Sequence, residues 1–209
     1  MIYLSGKLQV NEIGNRLDIG LMVGFRGKGD FNGQAAHVGR CLWAADNGCF
    51  TNDELDIETY LGWLGKMAEF QENCLFATAP DVVGNAKETW YRSKGVLPLI
   101  RKLGYPAALV AQDGIEDEVI HWDTFDCLFI GGSTEFKLSG NMLWLCREAA
   151  KQGKWVHMGR VNSKRRLLTA RFSGCHSADG TMMKHGPDIN LAKLKKWLDF
   201  INAQPVLNF

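Results

Sequence analysis

Along this chain, short apolar runs alternate with stretches whose apolar residues return every three or four positions. The runs cover residues 41–45, 74–78, 107–111, 125–130, 154–158 and 172–175, and each ends at a polar or glycine-containing cluster. A strand covered on both faces reads as a continuous apolar run, because neither side-chain direction meets water; these runs therefore predict strands of a buried parallel sheet. Residues 18–25 predict a seventh strand and residues 1–4 an eighth. Between the runs the spacing becomes helical. Tyr60, Leu61, Leu64, Met67 and Ala68 fall on one face. Asn85 with Glu88 three residues later predicts a capped helix start, which Pro98 kinks and Gly104 ends. A further helix over 143–152 stops at Gly153, and Leu191, Leu194, Trp197, Leu198 and Ile201 form a terminal stripe with Asn190 as its N-cap.

Strand and helix in alternation imply βαβ units joined by right-handed crossovers. Eight such units close into a barrel, so the expected fold is α/β: a compact (β/α)8 TIM-type barrel, one domain spanning 1–209. An open doubly wound sheet is the alternative, and the lack of a fingerprint glycine turn after the first strand counts against its dinucleotide-binding form. The glycine-rich segment GFRGKGDFNG, residues 24–33, matches neither a P-loop nor that fingerprint and is expected to be a surface loop.

Composition narrows the class. At 209 residues, 46% hydrophobic and 22% charged, the chain has enough apolar material for one good core and no run long enough for a membrane span. Its first residues lack the basic start and apolar run of a signal peptide, so a cytoplasmic protein with no membrane partner is expected. Six scattered cysteines show no paired spacing, which predicts reduced, buried thiols and no structural zinc. The net charge of +1 gives no global field for a polyanion, so any nucleic-acid contact must come from a local patch.

The residues that follow the apolar runs share one rim if the strands are parallel, and they are chemically loaded. They are Asp46-Asn47-Gly48-Cys49-Phe50, Pro80-Asp81, Gln112-Asp113-Gly114, Gly131-Gly132-Ser133, Met158-Gly159 and Asp179-Gly180-Thr181. Taken singly, each has a structural account: an Asp caps or turns the chain, Gly-Gly makes a turn, and a Met fills the core. Six such groups on one rim point to a site. Asp179 is expected in a glycine-flanked turn after the 172–175 run, where a barrel places catalytic groups.

In their order, these groups resemble the tRNA-guanine transglycosylase superfamily, including its small phage-type members that insert 7-deazaguanines into DNA. That family's Asp-Ser-Gly-Gly-Phe/Tyr element is similar to residues 46–50 with two substitutions, and Asp81 matches its next acidic position. Residues 110–114 look like its Val-Gln-Gly-Gly turn, Gly131-Gly132 like its helix-starting Gly-Gly, Met158-Gly159-Arg160 like its Met-Gly-x-Gly, and residues 174–179 like its Gly-x-Asp-x-x-Asp. The resemblance spans residues 41–181 and lacks the family's zinc-binding cysteine cluster and C-terminal extension.

What the resemblance implies is a pentosyltransferase that exchanges guanine in nucleic acid, DNA before tRNA, for a 7-deazaguanine such as preQ0. It needs no cofactor and no metal. Asp179 would be the nucleophile and Asp46 the general acid and base. Asp81 would accept N1–H and the 2-amino group, Gln112 and the Gly132 N–H would read O6 beside Gly131 and Gly159, and Phe50 and Met158 would sandwich the ring. A homodimer in the cytoplasm, or in the host cytoplasm for a phage protein, completes the expectation. The chemistry is consistent with the residue types: a carboxylate can trap an oxocarbenium-like carbon and leave again, giving net retention.

Arg160, Lys164, Arg165, Arg166 and Arg171 form a basic run with no acid inside it. On one helix Arg160 and Lys164 would share a face, as would Lys164 and Arg171. Beside the rim, such a run suits phosphate contacts that position a strand without reading its sequence. Three other readings stay open. One is a nucleosidase using the same carboxylates, another a non-catalytic nucleic-acid-binding accessory barrel. The third is a metal-dependent hydrolase gathering His157, His176, Asp46 and Asp179.

Overall fold

The computed structural model describes residues 1–6, 16–25, 38–49, 55–184 and 186–204. Eight strands, β1 (Ile2–Ser5), β2 (Ile19–Gly24), β3 (Trp43–Asp46), β4 (Cys74–Thr78), β5 (Ala107–Ala111), β6 (Cys127–Ile130), β7 (Trp155–Met158) and β8 (Ser177–Gly180), pair in chain order. Every pairing is parallel and β8 closes on β1, so the fold is a closed (β/α)8 barrel. The helices among the described residues are α1 (Ile57–Lys66), α2 (Ala86–Ser93), α3 (Leu97–Lys102), α4 (Thr134–Lys137), α5 (Gly140–Lys151), α6 (Lys164–Phe172) and α7 (Pro187–Asn202).

Strand periodicity splits the core into two shells. Leu4, Ala44, Phe76, Ala108 and Cys127 meet inside the barrel, with Phe129 and Trp155 against them. Their chain neighbours Tyr3, Trp43, Ala77, Leu109, Leu128 and Val156 point outward and pack under the helices. Both shells exclude water, which is why the strands carry near-continuous apolar runs. Caps place the helices: Asp56, Asn85, Ser133, Ser139 and Ser163 each accept a backbone N–H from the first turn of the following helix. Gly153, at φ 68°, takes the left-handed turn that ends α5.

Four local expectations fail, each for a physical reason. The last strand is not at 172–175: Phe172 ends α6, 45% exposed, and the strand is Ser177–Gly180. Its inward positions are Ser177 and Asp179, so it has no apolar run to announce it. Asp179 consequently lies within β8 rather than in a turn after it. Asn190 is not a cap, because Pro187, preorganised for a first helical turn, starts α7 earlier. The Asn190 amide instead donates to the Met182 carbonyl at 2.8 Å. Pro98 does not kink a helix but sits in the first turn of a separate one, α3. Arg160 lies before α6, so it shares no helical face with Lys164.

Candidate active site at the barrel mouth

Asp46 is the last residue of β3 and points inward over the barrel's end. Its Oδ1 accepts the Gly48 N–H at 3.1 Å. Burial pushes its carboxyl up to about 6 against that hydrogen bond, and the like charges of Asp179 and Asp81 raise it further. Beside it, the Asn47 amide donates to the Ala79 carbonyl at 2.7 Å and to Asp81 Oδ1 at 2.9 Å. The Asn47 carbonyl oxygen accepts the Cys49 N–H at 2.8 Å. Gln112, buried after β5, donates to Asp81 Oδ2 at 2.6 Å and accepts the Gly84 N–H at 2.9 Å. Asp81 is thus clamped through both oxygens. Burial still raises its pKa over the opposing effect of these two bonds.

The opposite wall is built by β7 and β8. His157, fully buried, approaches Asp179 Oδ1 through Nε2 at 3.1 Å and Ser177 Oγ through Nδ1 at 2.8 Å. The Trp155 indole N–H donates to the same Ser177 Oγ at 2.8 Å. The rings of Phe129 and Phe76 flank the imidazole at centroid distances of 4.5 and 4.9 Å. The Asp179 side chain keeps 17% of its surface exposed, and the Arg160 N–H reaches its Oδ1 at 3.3 Å. Gly159 and Gly180 leave room for this wall. A Cβ at Gly159 would lie 2.7 Å from the Phe129 ring, and one at Gly180 would lie 2.3 Å from Tyr3 Oη.

Cations gather on the β6 and β7 loops. Arg160 has φ 57°, the single non-glycine residue with positive φ among those described. Such a conformation costs on the order of 1 kcal/mol and persists only where neighbours enforce it. Here its guanidinium donates to the Gly132 carbonyl, and its own carbonyl accepts from Arg166 at 3.5 Å. Arg166 also reaches Thr134 Oγ1 at 3.3 Å. Lys137, only 8% exposed, donates to the Gly159 carbonyl at 3.1 Å. Burial pushes its ammonium down to about 8, helped by Arg160 and opposed by Asp179.

The basic run therefore does not form one patch. Arg160 and Arg166 stand at the mouth. Lys164 lies over the Phe200 ring of α7, 4.1 Å from its centroid, and Arg165 lines an outer groove between α5 and α6 with Lys164, Leu168 and Phe172. Arg171 is at the other end of the barrel, where it acts on the Met1 ammonium and on His176. A helix that begins at the rim carries its last turn to the far side, so residues seven apart in α6 cannot serve one face of the molecule.

Of the residues singled out by sequence, Asp46, Asp81, Gln112, Gly131, Gly132, Gly159, Arg160, Arg166 and Asp179 come together at the mouth. A Cβ on Gly131 would lie 3.0 Å from Gln112 Nε2, and one on Gly132 would lie 2.6 Å from Asp113 Oδ2. Met158 does not join them. With His157 turned inward, strand alternation turns Met158 outward into the shell beneath the helices, 2% exposed. Phe50 and residues 26–33 of the glycine-rich segment lie outside the described residues. His176 is not in the site either: it stacks on Trp155 and its Nδ1 accepts the Val156 N–H at 3.0 Å. Sequence reasoning gave no role of their own to Asn47, Lys137 and Ser177, and considered His157 only as a metal ligand. The signal available for the pair His157 and Ser177 was the shared inward phase of two adjacent strands.

No protein-family model matches the sequence, and no curated protein matches it significantly. Solved structures that resemble it include the Bacillus subtilis YkuI protein with an EAL domain, in complex with its substrate c-di-GMP and calcium. That likeness has 16% identity and a TM-score of 0.47, and covers 82% of this chain and 46% of that one. This chain spans less than half of that protein, and the barrel assignment rests on the strand pairing itself.

Proposed function

We propose that this protein is a base-exchange transglycosylase that replaces guanine in DNA with a 7-deazaguanine. The observation that carries the reading is the trio of carboxylates at the mouth, in which half-buried Asp46 has its pKa raised to about 6 beside Asp179 and Asp81. Exchange needs a group that gives a proton near neutral pH and takes one back, close to a nucleophile that does neither. An oxygen of Asp179 attacks C1′, the C1′–N9 bond breaks, and guanine leaves with the electron pair and a proton from Asp46. The incoming base gives its N9 proton to Asp46 and attacks C1′. The ester bond breaks and Asp179 is restored, with net retention.

Recognition falls to the clamp. Each Asp81 oxygen already accepts one amide N–H, and each keeps a lone pair for N1–H and the 2-amino group of a guanine. The remaining Gln112 N–H and the Gly132 N–H are the donors for O6. Leaving one such buried partner unpaired costs a few kcal/mol, which supplies selectivity. The six cysteines show no paired zinc-ligand spacing in the sequence, which favours the DNA members of the family it resembles over those with a zinc cluster. Arg160 and Arg166 would hold the phosphates beside the target nucleotide.

The test is incorporation of labelled guanine and labelled 7-cyano-7-deazaguanine into single-stranded DNA, duplex DNA and tRNA. Label in DNA and not in tRNA is the expected result. Label in none of them overturns base exchange on a polymer and shifts the weight to a nucleosidase or a binding protein.

A further inference from the structure

Behind Asp179 stands a hydrogen-bonded chain that the exchange chemistry above does not use. Trp155 Nε1 is a donor only, so Ser177 Oγ accepts from it at 2.8 Å. The Ser177 hydroxyl has one proton to give, and His157 Nδ1 lies 2.8 Å away. With Nδ1 accepting that proton, Nε2 carries the imidazole hydrogen and donates it to Asp179 Oδ1 at 3.1 Å. The opposite tautomer would aim a lone pair at a carboxylate oxygen. The imidazole cannot rotate away, since it is fully buried with the Phe129 and Phe76 rings against it. Among the described residues, both hydrogen bonds to the Asp179 carboxyl, from His157 and from the Arg160 N–H, fall on the same oxygen.

We propose that the Trp155–Ser177–His157 chain is a positioning device for the nucleophile, holding Asp179 Oδ1 so that Oδ2 is the oxygen that attacks. This rests on the base-exchange reading. The consequence differs between the two halves of the reaction. In the first, Oδ2 bonds to C1′ and the carboxylate charge is neutralised as guanine leaves, so a donor on Oδ1 gives no gain in charge stabilisation. In the second, the bond between Oδ2 and C1′ breaks, its electron pair returns to the carboxyl, and the His157 hydrogen bond strengthens as Oδ1 regains charge. His157 thus speeds breakdown of the glycosyl ester. Removing its donor leaves the ester to accumulate.

The experiment compares wild type with His157→Leu, His157→Gln and Ser177→Ala on single-stranded DNA. It measures guanine release, incorporation of labelled 7-cyano-7-deazaguanine, and the protein–DNA adduct that survives denaturation. In His157→Leu, incorporation should fall roughly 10- to 100-fold while adduct accumulates, as expected for loss of one hydrogen bond to a charged group. His157→Gln, which keeps an N–H donor, should recover most of that loss at a similar thermal midpoint; a merely structural histidine would not show that pattern. Incorporation within twofold of wild type in His157→Leu, or equal losses in Leu and Gln with no adduct, would overturn the proposal. Absence of exchange in wild type would overturn the base-exchange reading, and this one with it. Imidazole nitrogen NMR of the free protein gives an arm that needs no activity: the Nε2–H tautomer supports the chain, and the Nδ1–H tautomer refutes it.

Discussion

Asp46 is where a single side chain ties stability to function. Its folded pKa, about 6, lies above the ordinary value of 3.8, so the native state holds its proton more tightly than the unfolded chain does. Below about pH 4 both states are protonated and there is no penalty. As pH rises through about 6 the folded protein must ionise a partly buried carboxyl, and stability on the order of 3 kcal/mol is lost. Asp46→Asn should therefore raise the unfolding midpoint at pH 8, with the gain shrinking towards pH 4; chemical denaturation across that range measures it. Guanine release by wild type should decline as pH rises through about 6, and Asp46→Asn should abolish the reaction and its pH arm together. Asp46 and Asp81 were legible in sequence because they stand where apolar runs stop. Their supports were not. Asn47 looked like a departure from a motif, yet its side chain holds Asp81 and the Cys49 backbone at once.

At the scale of elements, the strand phase decides what the sequence could reveal. Runs at 74–78 and 107–111 coincide with β4 and β5, since burial on both faces leaves an unbroken apolar signature. The strand bearing Asp179 has none, because two of its four residues belong to the polar network inside the barrel. The same phase rule removes Met158 from the pocket and brings His157 in. Gly180 marks how closely β8 is packed: a methyl there would meet Tyr3 Oη, Asn162 Oδ1 at 2.5 Å and the Val161 carbonyl at 2.6 Å. Gly180→Ala should cost about 1–3 kcal/mol of stability by overpacking, read as a lowered denaturation midpoint. Helix α6 supplies a second contrast, having a cation at the mouth and another at the far end. Charge reversal at Arg166 should weaken single-stranded DNA binding roughly tenfold near 0.1 M salt and flatten its salt dependence, whereas reversal at Arg171 should leave both nearly unchanged.

For the molecule as a whole, the closed barrel converts eight strand ends into one mouth, and residues from β3, β4, β5, β6, β7 and β8 meet there although 133 positions separate Asp46 from Asp179. Alternation of strand and helix made the barrel legible, since each unit announces itself locally. Charge was less so: a basic run with no acid inside it divides between the two ends of the barrel. No helix among the described residues is long and apolar enough to cross a membrane. The central claim is that base exchange proceeds through an ester on Asp179, and mass spectrometry of denatured protein after reaction with single-stranded DNA tests it most directly. A DNA adduct on the peptide containing Asp179, absent from Asp179→Ala along with all incorporation of labelled base, is the predicted result. Undiminished incorporation by Asp179→Ala, or an adduct on any other residue, would contradict it.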